Sequence, residues 1–201
     1  MRIIATVLLI AVVVSIAAAQ AGQTPQGGRG AQAPQAAPAA QTPPEFEKAL
    51  LPAPAQLRNA ATVIKWKSDF TYETLRKGTN RLVCYERPVV AGQPPFSAEC
   101  TSIANLDRVA VSLKTEASTD ARGRQAAFEA LEKEGKWPKP EFGSIFYNMQ
   151  GPSPEQARSH ATIAVPGATT QTLGLPDNGN QGGAYIMNAG SSAAHIMMPG
   201  H

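Results

Sequence analysis

The C-terminal region carries the residues whose types and spacing are best suited to chemistry. His195 lies in the apolar run 194–198, Met197 follows it by two positions, and Met187 ends the apolar run 184–187. An imidazole together with thioether sulfurs is a ligand set that suits Cu(I). A histidine can also act as a general acid or base. We therefore take His195 as the candidate catalytic residue, and His195, Met197 and Met187 as the candidate metal ligands.

Each of these assignments competes with a structural explanation. Methionines fill irregular space in protein cores, and strand alternation would put His195 and Met197 on one face but Met198 on the other. The copper ligand set is then incomplete. Zinc needs three or four ligands, and the remaining histidines, His160 and His201, form no H-x-x-x-H pair with each other or with His195. We therefore predict no cofactor, with copper as the alternative.

The motifs that mark common enzyme classes are missing from the sequence. The chain contains neither a G-x-S-x-G nucleophile motif nor a G-x-x-x-x-G-K-[ST] or G-x-G-x-x-G nucleotide-binding motif. A carboxylate pair for glycoside chemistry would have to come from acidic residues near the cysteines, which the sequence does not place in space. These residues are Glu73, Glu86, Glu99 and Asp107.

Two functions therefore remain open, with a third behind them. The first is a non-catalytic module whose partner is a small molecule or a protein. The second is a hydrolase or lyase that uses His195 as its acid or base. The third is a copper-binding protein with methionine and histidine ligands. His195 separates the first two, because an enzyme needs it in a concave pocket with a carboxylate or hydroxyl within hydrogen-bond reach.

The two cysteines of the chain, Cys84 and Cys100, enclose a segment that is rich in glycine and proline. An isolated pair in an oxidising compartment most simply forms a disulfide. A redox pair usually has C-x-x-C spacing, and two thiolates alone do not make a zinc site. The sequence therefore predicts a structural disulfide that holds a loop.

The N-terminus predicts export. Arg2 precedes an apolar run without charge or proline, and small residues close that run, so residues 1–19 are typical of a secretory signal peptide. Residues 20–44 consist of Gln, Pro, Ala, Gly, Thr and one Arg, a composition that predicts a disordered linker. We expect a periplasmic or extracellular protein. A membrane is a partner only if the signal stays uncleaved as an anchor.

The charge of the chain gives no reason to expect nucleic acid as a partner. The full chain has a formal net charge of +3, and loss of Arg2 with the signal lowers it by one unit. Basic and acidic residues are thus close to balance, whereas proteins that bind nucleic acid concentrate positive charge.

Apolar periodicity predicts two helices and several strands. Ser102 is a suitable N-cap for a helix with apolar residues at three- and four-residue steps, and a second helix is expected over about 120–134. Residues 70–86 are expected to form a β-hairpin around the turn residues 77–80. The other expected strands are 61–67, 144–149, 160–165, 184–187 and 194–198. These elements predict an α+β fold, a mostly antiparallel sheet with about two helices on one face, in a single domain over 45–201.

Several short motifs resemble those of a group of exported bacterial proteins whose activity is uncharacterised. The motifs occur in the same order: Leu75-Arg76-Lys77-Gly78-Thr79-Asn80, Cys84, Cys100, Tyr147-Asn148-Met149-Gln150-Gly151, Tyr185-Ile186-Met187 and Ala194-His195-Ile196-Met197-Met198-Pro199. The resemblance spans roughly residues 60–200 and implies an exported domain, without adding an activity. This chain has Leu82-Val83 and Ser192-Ala193-Ala194 where the group's pattern has aromatic residues. If those aromatic residues line a site in the group, that site is altered or absent here.

Overall fold

Eight strands hydrogen-bond into one mixed sheet, which the computed structural model describes within residues 44–199. The strands are β1 (Thr62–Trp66), β2 (Tyr72–Arg76), β3 (Leu82–Glu86), β4 (Phe96–Ser102), β5 (Ile145–Gly151), β6 (Arg158–Ala164), β7 (Tyr185–Met187) and β8 (His195–Pro199). Their order is β2-β1-β3-β4-β5-β6-β8-β7, and every neighbouring pair is antiparallel except β1 and β3. The expected mostly antiparallel sheet is confirmed. The predicted signal peptide (1–19), the predicted linker as far as residue 43, and His201 lie outside the described residues.

Five helices accompany the sheet in the described range: α1 (Pro44–Leu50), α2 (Ala55–Arg58), α3 (Leu106–Ser118), α4 (Arg124–Lys133) and α5 (Thr170–Leu173). The two longest, α3 and α4, pack against each other and are the two helices that the sequence predicts. The expected α+β architecture is therefore confirmed. Between residues 44 and 199, no helix is long and apolar enough to cross a membrane.

The two faces of the sheet are buried under different helices because side chains alternate along each strand. On one face, Phe46 and Leu50 of α1 pack with Val63, Cys84 and Cys100. The opposite face takes the alternate strand residues and packs them under α3. This second cluster contains Ile64, Trp66, Val83, Tyr85, Leu106, Val109 and Leu113. Full burial of each large apolar side chain contributes about 1.5–3 kcal/mol to folding, so these two clusters are the main source of stability around β1, β3 and β4.

The hairpin expected over residues 70–86 is wrong. Strand β2 pairs with β1, and β3 lies on the other side of β1, parallel to it. The turn residues 77–80 instead contact the start of β1, where the N–H groups of Thr79 and Asn80 both donate to the Ala60 carbonyl. Gly78 permits this contact, since a Cβ there would lie 2.3 Å from the Ala60 oxygen. A long-range backbone contact therefore replaces the local turn.

The predicted disulfide between Cys84 and Cys100 is present. The two cysteines are direct cross-strand partners on β3 and β4, and both are fully buried under α1. The disulfide thus joins two adjacent strands and closes the loop between them, as the sequence predicts.

Candidate functional site

A cleft of about 230 Å³ opens beside α3, over the sheet face formed by β4, β5, β6 and β8. Its walls come from the sheet, from α3, from the segment that follows α4 and from the loop between β7 and β8. The lining residues are Glu99, Arg108, Trp137, Pro140, Phe146, Asn148, Thr162, Ala164, Asn188, Ala193 and His195. The candidate catalytic residue His195 therefore lies in a concave site.

A second hollow, of about 360 Å³, lies near the loop that precedes β5. Its carboxylate, Glu141, accepts hydrogen bonds from Arg81 and Ser102, each at 2.5 Å. Its charged groups are thus paired with each other, and it contains no histidine. We take the cleft beside α3 as the candidate functional site.

The floor of the cleft is set by strand register. Glu99 on β4 is the cross-strand partner of Asn148 on β5, which in turn is the partner of His160 on β6. Four residues further along β6, on the same face, Ala164 is the partner of His195 on β8. Neighbouring strands lie roughly 4.8 Å apart, so the register brings together polar side chains that are far apart in the sequence.

His195 has a defined hydrogen-bond geometry. Its Nδ1 lies 2.8 Å from the carbonyl oxygen of Ala193. Because a carbonyl can only accept, Nδ1 carries the hydrogen, and in the neutral ring Nε2 is left with a free lone pair. Over the described residues, this carbonyl is the one hydrogen-bond partner of the ring. The carboxylate or hydroxyl partner that an acid–base role requires is not found there.

His160 lies on the same sheet face, in the row that begins at Glu99. Burial lowers the pKa of His160, and the charge of His195 lowers it further, whereas the charge of Glu99 opposes both effects. His160 is therefore neutral at physiological pH. The sequence offers His160 only as a zinc ligand, and the structure instead places it in the row of polar residues beside the cleft.

Glu99 is buried and its charge is compensated. The Tyr85 hydroxyl donates to its Oε1, and Arg87 Nη1 donates to its Oε2 at 2.9 Å. Arg87 also binds Glu116 through Nη2, at 2.8 and 2.9 Å. Burial, reinforced by the charge of Glu99, raises the pKa of Tyr85 well above its usual value. Both carboxylate oxygens of Glu99 are thus used within a buried network.

The carboxylate pair considered for glycoside chemistry is not assembled. Of the four acidic residues near the cysteines, Glu99 alone lines the cleft. Glu73 and Glu86 on β2 and β3, and Asp107 on α3, are exposed. Because the other three residues lie outside the cleft lining, the cleft has no second carboxylate from this set. The oxygens of Glu99 are themselves already bound.

Arg108 and Trp137 form the helical wall of the cleft. The Arg108 guanidinium lies 3.6 Å from the centre of the Trp137 ring, and its Nη1 donates to the Pro138 carbonyl at 2.7 Å. Phe128 of α4 stacks with Trp137, with 4.6 Å between the ring centres. Ser112 of α3 accepts a hydrogen bond from the indole N–H of Trp137 at 3.0 Å. Burial lowers the pKa of Arg108 to about 10, a shift that the charge of Glu132 opposes. Arg108 is therefore a charged group at neutral pH, in a fixed position.

The loop between β7 and β8 closes the cleft on its remaining side. The backbone N–H of Ser192 donates to Oε1 of Glu132 on α4, at 2.5 Å. The N–H of Gly190 donates to the Ala168 carbonyl at 2.7 Å. These bonds hold the residues that line the cleft from this loop, Asn188 and Ala193.

The three candidate copper ligands share one sheet face. Met187 is the cross-strand partner of His195, and Met197 lies two residues along β8 on the same side. Met198 projects to the opposite face and is 40% exposed. No group of three or more His, Cys, Asp or Glu side chains suited to a metal ion occurs in the part of the chain that the structure covers.

Sequence reasoning missed Arg108, Trp137, Asn148 and Thr162 as site residues. Asn148 and Thr162 are polar residues at strand positions that face the helices rather than solvent. Polar residues on the buried side of a strand are a pattern that could have pointed to them. Arg108 is a charged residue, but it is buried in α3 together with the apolar residues that face the sheet. Buried polar residues in otherwise amphipathic elements are thus what identifies this site.

The fold and the site were compared with known proteins. The chain matches no protein-family model, and the searches of curated proteins and of solved structures likewise gave no match.

Proposed function

We propose that this protein is an exported module that binds a small molecule in the cleft beside α3. The observation that supports this most directly is the cleft itself, which combines apolar walls with a few fixed polar groups, the usual composition of a ligand site. Its volume of about 230 Å³ is below the roughly 300–1,000 Å³ of clefts that hold drug-sized ligands. The ligand is accordingly small.

Export to the periplasm or the cell exterior is part of the proposal. The buried disulfide between Cys84 and Cys100 is compatible with an oxidising compartment, where such bonds persist. The signal-like residues 1–19 supply the route. We place no membrane or nucleic acid among the partners of the exported form.

An enzymatic function, as a hydrolase or lyase, is the second candidate, and one observation favours it. His195 lines the cleft with its Nδ1 hydrogen held by a backbone carbonyl, which orients the ring and leaves Nε2 as a base. The missing carboxylate or hydroxyl partner within the described residues makes this candidate weaker than binding alone.

Copper binding is the third candidate. It rests on the common face of Met187, His195 and Met197 along β7 and β8. Titration of the protein with Cu(I) under reducing conditions tests it, since micromolar binding that a His195→Asn substitution abolishes would favour copper over the ligand cleft.

A titration with small molecules tests the proposed function. The ¹⁵N-labelled exported protein is mixed with a panel of small metabolites while the indole N–H signal of Trp137 is followed, and a Trp66→Phe variant assigns that signal. We expect at least one compound to shift it. An Ala193→Leu variant, which fills the cleft, should abolish the shift, and Ala189→Leu in the same exposed loop is the matched control.

Two results would contradict the proposed function. The first is that no compound moves the Trp137 signal at millimolar concentration. The second is that Ala193→Leu and Ala189→Leu respond alike. If the spectrum of a bound compound changes with time for the wild type but not for His195→Gln, the enzymatic candidate replaces binding alone.

A further inference from the structure

We propose that Arg108 makes the cleft selective for a small carboxylate with an apolar body. This inference rests on the proposed function, because it names the class of ligand that the same cleft takes. Three observations support it. The guanidinium lines the cleft, Glu99 and Glu132 are bound to groups other than Arg108, and the remaining walls of the cleft are apolar.

Arg108 is a buried cation without an acidic partner in the part of the chain described. It is 8% exposed, it lines the cleft, and none of the ion pairs within residues 44–199 includes it. Burying an uncompensated charge is costly, so buried guanidinium groups are normally paired with a carboxylate. An anion in the cleft would supply the missing partner.

The acid that lines the cleft and the acid whose charge acts on Arg108 are already bound to other groups. Glu99 binds Tyr85 and Arg87 with both of its oxygens. Glu132, whose charge acts on Arg108, accepts the Ser192 N–H at 2.5 Å. Neither acid forms an ion pair with Arg108, and the cleft therefore retains an unpaired positive charge.

The geometry of Arg108 fits a planar anion. A guanidinium has five N–H donors in a rigid fork that matches a carboxylate. The Pro138 carbonyl takes one donor, from Nη1 at 2.7 Å, and no other acceptor for this side chain occurs among the described residues. The guanidinium carbon also lies 3.6 Å from the centre of the Trp137 ring, a cation–π contact that restricts the position of the fork. The remaining donors are thus oriented before a ligand arrives.

The other walls of the cleft suit an apolar ligand body. Trp137, Pro140, Phe146 and Ala164 contribute rings and a methyl group to the lining. Phosphate, which has no apolar part, would leave these walls without contacts. The cleft volume of about 230 Å³ limits the body to about one ring, so benzoate is a suitable probe.

Matched probes test this inference on the unmodified protein. Benzoate, its neutral analogue benzamide and inorganic phosphate are titrated while the Trp137 indole N–H signal is followed. We expect benzoate to bind at least 10-fold more tightly than benzamide, because a hydrogen bond to a charged partner outweighs a neutral one by about that factor. Phosphate should bind more weakly than benzoate.

Variants assign the selectivity to Arg108. Arg108→Gln should lose the preference for benzoate over benzamide, and Arg108→Lys should retain part of it because the charge remains without the fork. Arg124→Gln is the matched control, since Arg124 also donates to a backbone carbonyl, Ala91 at 2.6 Å, but lies outside the cleft lining. Circular dichroism confirms that each variant is folded.

The outcomes separate this inference from the proposed function. Equal binding of benzamide and benzoate at the Trp137 signal would overturn the role of Arg108 and leave a neutral-ligand site. Tighter binding of phosphate than of benzoate would overturn the carboxylate assignment. If none of the three probes binds while other compounds in the panel do, the inference fails and the binding function stands.

Discussion

Glu99 connects the apolar core to the cleft at the level of single residues. Its carboxylate is bound by the Tyr85 hydroxyl and by Arg87, both on the side of the core. Its position also places it in the cleft lining, in the same row as His160. Burial lowers the pKa of Arg87, but the charges of Glu99 and Glu116 outweigh burial and leave that pKa raised. Arg87 is therefore charged at neutral pH.

Removing the Glu99 charge should destabilise the protein. In a Glu99→Gln variant, Arg87 keeps Glu116 but loses one of its two buried carboxylates. Because Arg87 stays paired, the loss is that of hydrogen bonding to a charged group, about 1.5–3 kcal/mol, and we expect a loss of about 2 kcal/mol here. Urea unfolding followed by circular dichroism measures it.

The exposed pair between Lys136 and Glu134 provides the control for this prediction. The two side chains are 69% and 52% exposed, and their atoms are 2.8 Å apart. An exposed pair contributes at most about 1 kcal/mol, so Glu134→Gln should change the unfolding free energy little. Equal losses in the two variants would show that the Glu99 network does not contribute as a buried pair.

His160 should make stability depend on pH. Its pKa in the folded protein is lowered, first by burial, so the unfolded chain takes up a proton at higher pH than the folded protein does. Stability is then lost as pH falls below the ordinary histidine pKa of about 6.5, and the loss stops below the folded-state pKa. Glu99 and His195 are the charged groups that act on this histidine.

A His160→Gln variant isolates this contribution. We expect its unfolding free energy to fall less than that of the wild type between pH 7.5 and pH 5.5, because glutamine does not titrate. Urea unfolding at the two pH values measures the difference. An identical fall in both proteins would mean that His160 does not titrate differently in the folded and unfolded states.

At the level of elements, α4 holds the loop between β7 and β8 over the cleft. The carboxylate of Glu132 accepts the Ser192 N–H, and this bond joins two elements that are otherwise distant in the chain. A hydrogen bond to a charged group contributes about 1.5–3 kcal/mol. The position of the cleft wall at Asn188 and Ala193 therefore depends on a side chain of α4 as well as on the backbone bond from Gly190 to Ala168.

Replacing Glu132 by alanine should open this loop without unfolding the sheet. We expect the amides around Ser192 to lose hydrogen-exchange protection by about 10-fold or more, whereas the amides of β3 and β4 remain protected. Glu129→Ala on the same helix is the control, because among the described residues Glu129 bonds to Gln125 alone, one turn away. Unchanged protection at Ser192 would show that other bonds suffice to hold the loop.

The sequence predicts where helices and strands form better than it predicts which strands pair with each other. Alternation and capping locate the strands around 144–149 and 160–165 and the helix that follows Ser102, because these signals are local. The place of β2 beside β1 depends on the contacts of Thr79 and Asn80 with Ala60, which no local pattern contains. The site is still harder to predict from the sequence, since it depends on the register of four strands.

At the level of the whole molecule, the cleft lies where the helices no longer cover the sheet. Eight strands span roughly 34 Å at the usual strand spacing, whereas one helix is about 10–12 Å wide. α3 and its apolar residues lie over β1 and β3, and the polar residues follow on β4, β5, β6 and β8. A sheet of this width therefore leaves part of one face uncovered by helices.

Export and disulfide formation should be coupled in the full chain. When the full chain is exported by a bacterial host, we expect mass spectrometry to find Gln20 at the N-terminus and the bond between Cys84 and Cys100 formed, because the bond needs an oxidising compartment.

A chain that begins at Gln20 and is made in a reducing cytosol should contain two thiols. It should unfold with a free energy about 3 kcal/mol lower, since the loop closed by the disulfide no longer restricts the unfolded chain. An intact Met1 on the exported protein, or equal stability of the oxidised and reduced forms, would contradict this coupling.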